Sequence, residues 1–251
     1  MTGFYKFTLR LCDSLAFRLR RRLRAAALRG TPAGNPGFDA SETYELLRLL
    51  AAAPPQVIYD LGANRGRWTL LAKSLFPNAE VHGFEPLPEH CDAFLRNTAG
   101  LAAVKLHRTA LGEATAELEM DITSFSDSAS LLAPTEALAR TYGVRPGRKI
   151  PVPVVRLDDW VEAHGLPEPD LLKLDLQGYE LQALRGAPRC LQHARAVLLE
   201  LSFHEYYAGQ PSAGRVITHL EQAGFRPAAL SPDIPAGQLL EQVDALFLRT
   251  P

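Results

Sequence analysis

The chain has 251 residues, 47% of them hydrophobic and 22% charged, and its formal net charge is −1. This length and composition fit a globular α/β domain with an added segment, and no apolar stretch approaches the roughly 18 residues that a membrane-spanning helix needs. The three cysteines are scattered without the spacing of a metal site, so they fit a reducing compartment, and we predict a cytoplasmic protein.

The N-terminal segment is strongly basic. Residues 1–30 contain seven arginines and Lys6 against the single acid Asp13, a net charge of +7 that leaves −8 for the other 221 residues. Residues 4–28 have the pattern of a moderately amphipathic helix. Its apolar side consists of Leu11, Cys12, Leu15, Ala16, Leu19 and Leu23, and its basic side of Arg10, Arg20, Arg21 and Arg24. Because the arginines follow the apolar residues instead of preceding them, this segment is not a secretory signal.

Three interpretations of this helix remain open. It packs on its own domain or on a partner subunit, it lies on an anionic membrane surface, or it contacts nucleic acid. Aromatic residues are not interleaved with the arginines, which weighs against the third interpretation, so we predict no nucleic-acid partner. Contact with a subunit or with the periphery of a membrane through residues 4–28 stays open.

A linker follows this basic segment. Residues 30–37 are rich in glycine and proline, so we predict an N-terminal segment at 1–40 and a domain at 41–251. Asp39 and Glu42 have the spacing of a capping box, and Ser41 is a rival N-cap. Either residue opens a short helix that ends before Pro54 and Pro55.

Residues 57–66, Val-Ile-Tyr-Asp-Leu-Gly-Ala-Asn-Arg-Gly, predict a buried strand, a tight glycine turn and the start of a helix. Turns that bind dinucleotides have glycine where this chain has Asp60, because a pyrophosphate lies against the turn. A carboxylate at that point attracts a cation instead. S-adenosylmethionine carries an ammonium and a sulfonium group and no phosphate, so Asp60 suits that cofactor.

Two later strands extend this predicted binding site. Glu85 ends the next apolar run, 19 residues after Gly66, where a carboxylate commonly binds ribose hydroxyls. Residues 104–106 predict a third strand, and Ala110 in its exit loop is a candidate wall for adenine or part of an ordinary turn. The hydroxyl-rich residues 123–130 are either a solvated loop or a cover for the cofactor. Residues 149–155 predict an edge strand, because they contain Pro151 and Pro153.

Residues 171–176 occupy the place of a central strand, yet they contain Lys173 and Asp175. Buried charges are costly unless they are paired, and residues two apart on a strand point to the same face. Asp175, Gln177 and Glu180 then lie together at the exit of the strand, which is the reactive edge of such a sheet. The alternative is an internal Lys–Asp pair beside acids at a helix N-terminus.

The last strands and helices bring further polar residues to this edge. Residues 196–201 predict the fifth strand, which delivers Glu200 and then His204. His204 is either catalytic or an ordinary polar residue. A divalent cation between Asp175 and Glu200 is conceivable, since hard cations bind oxygen ligands, but no spacing requires it and we predict no metal site. A helix at 216–223 and strands at 224–226 and 243–248 complete the pattern.

Taken in order, these landmarks resemble the FkbM-type family of class I S-adenosylmethionine-dependent methyltransferases. The resemblance rests on Asp-x-Gly-Ala-Asn-x-Gly at 60–66, Phe-Glu-Pro-x-Pro at 84–88, Ala-Leu-Gly at 110–112 and Leu-Asp at 157–158. Its most specific motif is Leu-Lys-x-Asp-x-Gln-Gly-x-Glu-x-x-x-Leu-x-Gly at 172–186. The resemblance covers roughly residues 55–225 and leaves the N-terminal 40 residues outside it.

The resemblance implies a doubly wound, mostly parallel, seven-stranded Rossmann-like sheet with helices on both faces. It also implies methyl transfer, usually to a hydroxyl oxygen of a sugar, a polyketide or another small molecule. The residues that it assigns to S-adenosylmethionine are Asp60, Gly62, Asn64, Gly66 and Glu85. We add Ala63 of the same turn and Ala110 of the third exit loop as further candidates for cofactor binding. It places Asp175, Gln177 and Glu180 at the edge where the reaction occurs.

An alcohol is a weak nucleophile until it loses its proton, so methyl transfer to oxygen needs a nearby base. Our hypothesis assigns that role to Asp175, with Glu180 or His204 as the alternative. Two other functions stay open. A nicotinamide-dependent oxidoreductase on a similar fold is disfavoured by Asp60 and by the missing third glycine, and a non-catalytic binding scaffold is conceivable because fold alone does not guarantee chemistry.

Overall fold

The fold is built on ten strands and nine helices within residues 2–34, 43–231 and 239–250, which the computed structural model describes. The strands are β1 Val57–Leu61, β2 Glu80–Phe84, β3 Val104–His107, β4 Ala110–Leu111, β5 Ala116–Thr123, β6 Pro146–Val155, β7 Leu171–Leu174, β8 Ala196–Ser202, β9 Phe225–Leu230 and β10 Gln242–Arg249. The helices are α1 Thr2–Ala27, α2 Tyr44–Arg48, α3 Arg67–Leu75, α4 Pro88–Asn97, α5 Glu136–Tyr142, α6 Leu157–His164, α7 Glu180–Arg185, α8 Pro188–His193 and α9 Ala213–Gln222.

Seven strands form one sheet in the order β3-β2-β1-β7-β8-β10-β9. Strands β3, β2, β1, β7 and β8 are parallel to one another, and β10 is antiparallel to both β8 and β9. This topology confirms the predicted doubly wound, mostly parallel sheet. The chain builds outward from β1 to β3 and later returns to place β7 on the other side of β1. The crevice at such a reversal, at the carboxyl ends of the strands, is where ligands bind in these folds.

Helices cover both faces of this sheet, as predicted. Successive residues of a strand point to opposite faces, and in β1 Ile58 joins one buried cluster while Tyr59 and Leu61 join the other. The first cluster contains Trp68 and Leu71 of α3. The second contains apolar residues of α6 to α9, namely Leu157, Leu184, Leu191 and Leu220.

A second, three-stranded sheet in the order β4-β6-β5 corrects the predicted position of β6. We expected β6 to be an edge strand because it contains prolines, but it lies in the middle. Pro151 and Pro153 pair only with β5, whereas β4 pairs with Val154 and Val155. The prolines therefore occupy the part of β6 that needs ladder bonds on one side only, which is where a residue without an N–H is tolerated.

Most other elements agree with the predicted ones to within a few residues. The strands predicted at 104–106 and 196–201 are β3 and β8, and the helix that restarts after Pro86 is α4, which ends at Asn97 as predicted. The predicted helix starts at Asp39 or Ser41 lie outside the described residues. The helix that follows them is α2, and it is only five residues long.

The N-terminal helix α1 presents its leucines to solvent. The exposed fractions of Leu11, Leu15, Leu19 and Leu23 are 45%, 54%, 59% and 61%. The described part of the domain therefore leaves these leucines uncovered, although the helix is attached to it near its C-terminal end, where Arg24 is buried and pairs with Glu45 at 2.7 Å. Among the described helices, none is long and apolar enough to cross a membrane.

A chain of three hydrogen bonds connects β2, β3 and α6. The indole N–H of Trp160 donates to Nδ1 of His107 at 3.2 Å, so the proton of neutral His107 lies on Nε2, which donates to Nδ1 of His82 at 2.9 Å. His82 in turn donates from Nε2 to Oε1 of Glu80 at 3.0 Å. Every ring nitrogen in this chain has a partner only when both histidines are neutral.

We expect the free energy of unfolding to decrease as the pH is lowered from 6.5 to 4, because of His107. Burial lowers the pKa of His107 from 6.5 to about 4, so within this window the unfolded chain binds a proton that the folded chain excludes. The contribution is fully present above pH 6.5, and roughly 2–3 kcal/mol of unfolding free energy is lost by pH 4. Urea unfolding at a series of pH values measures this slope.

Two variants test whether His107 causes this pH dependence. His107→Phe removes the titrating ring and should flatten the curve in this window. His193→Gln removes an exposed histidine (53% side-chain exposure) and should leave the curve unchanged. An identical slope in the wild type and in His107→Phe would contradict the prediction.

Candidate functional site

The turn after β1 requires glycine at position 62. Gly62 has a φ of +79°, and a Cβ there would lie 2.0 Å from the carbonyl oxygen of Asp175. The N–H groups of Gly62 and Ala63 both donate to the carbonyl of Phe84 at 3.0 Å. The ends of β1, β2 and β7 are therefore held in direct contact, which is possible only without a side chain at this turn.

Glu85 stands at the end of β2 and braces the turn. Its Oε2 accepts the N–H of Asn64 and its Oε1 accepts the N–H of Leu87, both at 2.9 Å. Asn64 has a positive φ of 47°, a conformation that asparagine tolerates better than most residues. A carboxylate has about four acceptor positions, so Glu85 keeps acceptor capacity for the hydroxyls of a ligand.

A first cavity, of about 610 Å³ of empty space, opens beside Glu85. Three carboxylates line it, and among its described lining residues there is no lysine or arginine. A site with that donor set favours a cationic ligand and disfavours a phosphate. The lining residues are Gly62, Asn64, Phe84, Glu85, Pro86, Leu87, His90, Thr109, Ala110, Leu111, Met120, Ser126, Asp127, Ala129, Leu131, Asp175, Leu176, Gln177 and Tyr179.

The hydroxyl-rich residues 123–130 cover this cavity. The hydroxyl oxygen of Ser126 accepts a hydrogen bond from the Arg65 guanidinium at 3.0 Å and lies 3.1 Å from Nε2 of His90. Asp127 forms an ion pair with Arg65 at 3.1 Å, and the hydroxyl of Ser130 donates to the carbonyl of Gln177 at 2.7 Å. The loop is thus tied to the elements on both sides of the cavity.

A second, wider cavity of about 1500 Å³ of empty space joins the first. Five residues line both: Gly62, Asn64, Asp127, Asp175 and Gln177. The second cavity contains cationic side chains and exposed aromatic rings as well as carboxylates. Its other lining residues include Arg65, Arg67, Trp68, Phe125, Tyr142, Lys173, Glu200, Tyr207, Gln242 and Asp244.

Asp175 stands in the shared wall and is held by neighbouring polar groups. Its side chain is 45% exposed and lies 3.8 Å from the ammonium of Lys173. The Gln177 amide donates to Oδ1 of Asp175 at 2.7 Å, and the hydroxyl of Tyr207 donates to the Gln177 carbonyl oxygen Oε1 at 2.8 Å. Gln177 has a φ of +52°, which is uncommon for a residue other than glycine and is typical of a constrained functional position.

Sequence reasoning missed Tyr207. It follows β8 by five residues in an irregular segment, and burial raises the pKa of its hydroxyl above the ordinary value. No motif or periodicity in the sequence places it against Gln177, which lies 30 residues away along the chain. Only the packing of the segment after β8 against the exit of β7 reveals this contact.

Asp60 has surroundings that differ from those we expected. Its carboxylate is fully buried, accepts the Thr69 hydroxyl at 2.7 Å and pairs with Lys173 at 3.0 Å. Burial raises the pKa of Asp60, and Lys173 and Thr69 oppose that shift. Asp60 is not among the lining residues of either cavity, so its direct contact with a cofactor stays a prediction that this geometry does not favour.

The other predicted residues divide into two groups. Gly62, Ala63, Asn64, Glu85, Ala110 and Asp175 line one or both cavities. Gly66, Glu180 and His204 line neither: Gly66 packs against Phe94, and His204 is exposed on the segment after β8.

The Glu180 carboxylate is bound by backbone groups. Its Oε1 accepts the N–H groups of Leu176 at 2.9 Å and Gly178 at 3.2 Å, and burial raises its pKa to about 7. It therefore braces the loop after β7 and lines neither cavity. In the described part of the chain, no group of three or more His, Cys, Asp or Glu side chains is arranged to hold a metal ion.

Comparisons with known proteins found a matching family, curated relatives and a similar fold. The profile of the Methyltransferase FkbM domain matches residues 60–227. The 2-O-methyltransferase NoeI of Sinorhizobium fredii is 30% identical over 209 residues, which cover 80% of this chain and 84% of that protein. The hexuronic acid methyltransferase AglP of Haloferax volcanii is 25% identical over 165 residues, which cover 65% and 64% of the two chains. A solved structure, cofactor-bound Rv0187 from MTB, has a similar fold, with a TM-score of 0.51 and 16% identity over 91% of this chain and 88% of that one.

Proposed function

The chain belongs to the FkbM family of S-adenosylmethionine-dependent methyltransferases, and we propose that its acceptor is a hydroxyl group on a sugar or another small molecule. One observation carries the cofactor assignment: three carboxylates and no lysine or arginine line the first cavity within the described chain. That lining suits a ligand with a sulfonium and an ammonium group, and it would repel the pyrophosphate of a nicotinamide cofactor.

We propose cofactor roles for the residues of the first cavity. Glu85 accepts the ribose hydroxyls, as carboxylates at the end of a second strand do. Ala110, with neighbouring apolar side chains, flanks the adenine. Gly62, Ala63 and Asn64 form the turn beneath the ligand, while Gly66 and the buried Asp60 hold that turn in place.

The proposed reaction takes place where the two cavities meet. S-adenosylmethionine supplies an electrophilic methyl group there. Asp175, in the shared wall, accepts the proton of the acceptor hydroxyl and orients its oxygen. Gln177 and Lys173 hold the Asp175 carboxylate, and Tyr207 holds Gln177. Glu180 and His204 face neither cavity, which disfavours them as the base.

The second cavity supports a sugar-like acceptor. Phe125 and Tyr142 line it, and their exposed fractions are 57% and 51%. The C–H groups on one face of a sugar ring can pack against the electron-rich face of an aromatic ring. The relatives are consistent with this acceptor, since one is named a 2-O-methyltransferase and another a hexuronic acid methyltransferase.

Calorimetric titration with S-adenosylmethionine, with NAD(H) as the comparison, tests the cofactor assignment. We expect saturable binding of the former alone. Gly62→Ala should abolish it, because the new Cβ meets the Asp175 carbonyl. Gly143→Ala is the matched control: its φ of +68° imposes similar backbone strain, but no atom lies within 4 Å of the added Cβ.

The remaining outcomes of this titration identify the alternatives. Binding of NAD(H) alone would point to an oxidoreductase, and binding of neither cofactor, with or without candidate acceptors, would point to a non-catalytic scaffold. Glu85→Gln keeps the test informative if Gly62→Ala fails to fold, since it should weaken S-adenosylmethionine binding about tenfold by removing a charge-assisted hydrogen bond. Transfer of labelled methyl groups to uronic-acid glycans, with the product linkage assigned by NMR, then tests the acceptor.

Tyr207→Phe is expected to lower kcat about fivefold, because Gln177 loses the donor that fixes it against Asp175, a hydrogen bond worth about 1 kcal/mol. The KM for S-adenosylmethionine should change little. Tyr206→Phe is the control, since Tyr206 is equally buried but donates to Glu241 and lines neither cavity. Equal losses of kcat in the two variants would mean that Tyr207 acts only through general stability.

For the N-terminus, we propose that residues 1–40 form an attachment segment distinct from the methyltransferase domain at 41–251, in a cytoplasmic protein. The exposed leucines of α1 support a contact of this helix with a membrane periphery or with a subunit. Arg24 fastens the end of α1 to α2 through Glu45 at 2.7 Å. The boundary near residue 40 lies outside the described residues and stays a proposal.

A further inference from the structure

The apolar face of α1 points away from the domain. Leu11, Leu15, Leu19 and Leu23 succeed one another every four residues, so each step turns about 40° and the four leucines span about 120° of the helix. Arg24 lies on the opposite side, about 160° from the middle of this span, and Leu28 follows directly after the helix. Both are buried, with 3% and 2% exposed. The helix is therefore anchored at its C-terminal end, while its leucine face, defined by these four residues, stays uncovered.

Arginines lie beside the leucine face in the second half of the helix. Around the helix, Arg18 lies at one margin of the face, Arg20 lies beyond the other, and Arg22 falls inside its span. Asp13 is the only acidic residue of α1. Arginine side chains can extend from the edge of an apolar face toward phosphate groups while their methylene chains stay with the apolar side. This arrangement is complementary to a surface with an apolar interior and an anionic boundary.

The same features disfavour a second copy of this chain as the occupant. Pairing two leucine faces would bring the arginines of both copies together, with one carboxylate per helix to offset them. A helix seam needs apolar residues that alternate at spacings of three and four. Here the uniform spacing of four turns the leucines progressively around the helix, which produces a broad face instead of a narrow seam.

We infer that α1 binds the surface of an anionic phospholipid bilayer, with the leucine face inserted among the acyl chains and the arginines at the phosphates. This inference names the partner of the attachment segment proposed above. It does not depend on the methyl-transfer assignment, because α1 lines neither cavity.

Cys12 provides a position for a fluorescent label on the leucine face. Cys12 is exposed, whereas Cys91 and Cys190 are buried, and burial raises the pKa of Cys91 to about 11. Cys12 lies between Leu19 and Leu23 around the helix. An environment-sensitive fluorophore attached to the full-length protein therefore labels the leucine face selectively.

The experiment adds vesicles of phosphatidylcholine alone, or of phosphatidylcholine with phosphatidylglycerol, to the labelled protein. With the anionic vesicles we expect a blue-shifted emission and co-sedimentation, both weakened by high salt. Leu15→Gln/Leu19→Gln should reduce the partition coefficient at least about tenfold. Leu95→Gln/Leu118→Gln is the matched control, because those leucines are 49% and 37% exposed on other elements and should leave partitioning unchanged.

Three results would overturn the inference. One is the absence of binding to anionic vesicles, and another is binding that ignores the leucine substitutions. The third is a blue shift that occurs without vesicles and increases with protein concentration. That result would mean that the leucine face binds a second copy of the chain. S-adenosylmethionine titration of the same samples separates these failures from a failure of the methyltransferase assignment.

Discussion

Asp175→Asn is expected to lower kcat by about 10²–10⁴-fold, the range that a positioned general base contributes. The substitution keeps the size of the side chain and its contact with Gln177, but the amide cannot accept the proton of the acceptor hydroxyl. Asp175 lies in the wall between the two cavities, so the affinity for S-adenosylmethionine should stay within a few-fold. Steady-state kinetics together with calorimetry measure the two quantities separately.

Asp159→Asn provides the control for charge removal. Asp159 is 55% exposed and pairs with Arg156, away from both cavities, so its loss should leave kcat unchanged. An Asp175→Asn enzyme that keeps its turnover would remove Asp175 as the base. Glu200, the next carboxylate along the second cavity, would then be the residue to test.

Asp60→Asn is expected to lower the free energy of unfolding by about 3–5 kcal/mol, because it leaves the Lys173 ammonium buried without its closest counter-charge. Lys173 is 8% exposed and lies 3.0 Å from Asp60. Burial alone would lower the pKa of Lys173, but the carboxylates of Asp60 and Asp175 raise it. Denaturant unfolding of the ligand-free protein at neutral pH measures the loss.

A double variant distinguishes an uncompensated charge from a simple loss of packing. Asp60→Asn/Lys173→Met removes both charges and should recover most of the stability that Asp60→Asn loses, since buried ion pairs contribute little net stability. Removal of the exposed Arg156–Asp159 pair by Asp159→Asn should cost only about 0–1 kcal/mol. A loss below about 1 kcal/mol in Asp60→Asn would mean that Lys173 finds sufficient compensation at Asp175.

These two predictions concern one connected set of groups. Lys173 contacts the buried Asp60 on one side and approaches the half-exposed Asp175 on the other. The buried pair therefore positions the side chain that holds the proposed base. We expect Asp60 to influence methyl transfer through this position and not through contact with the cofactor.

The amino-acid sequence by itself determined the fold class and predicted the turn and the carboxylate to which we assign the cofactor. The turn at 60–66 and the carboxylate at 85 are local signals, because a glycine with positive φ and a strand-ending acid carry their geometry within a few residues. Short runs of apolar residues also located most of the parallel strands. These features depend on residues that are close together in the sequence, so they can be predicted without knowledge of the packing.

Tertiary structure alone decided which charged residues meet. Asp60 and Lys173 are paired by the register of β1 against β7, and Tyr207 reaches Gln177 from a segment beyond β8. The same packing turned Glu180 toward backbone N–H groups and left His204 outside the cavities. The direction of a side chain depends on strand register, because a shift by one residue reverses the face on which it lies. Contacts between residues far apart in the sequence set that register, and no local pattern contains it.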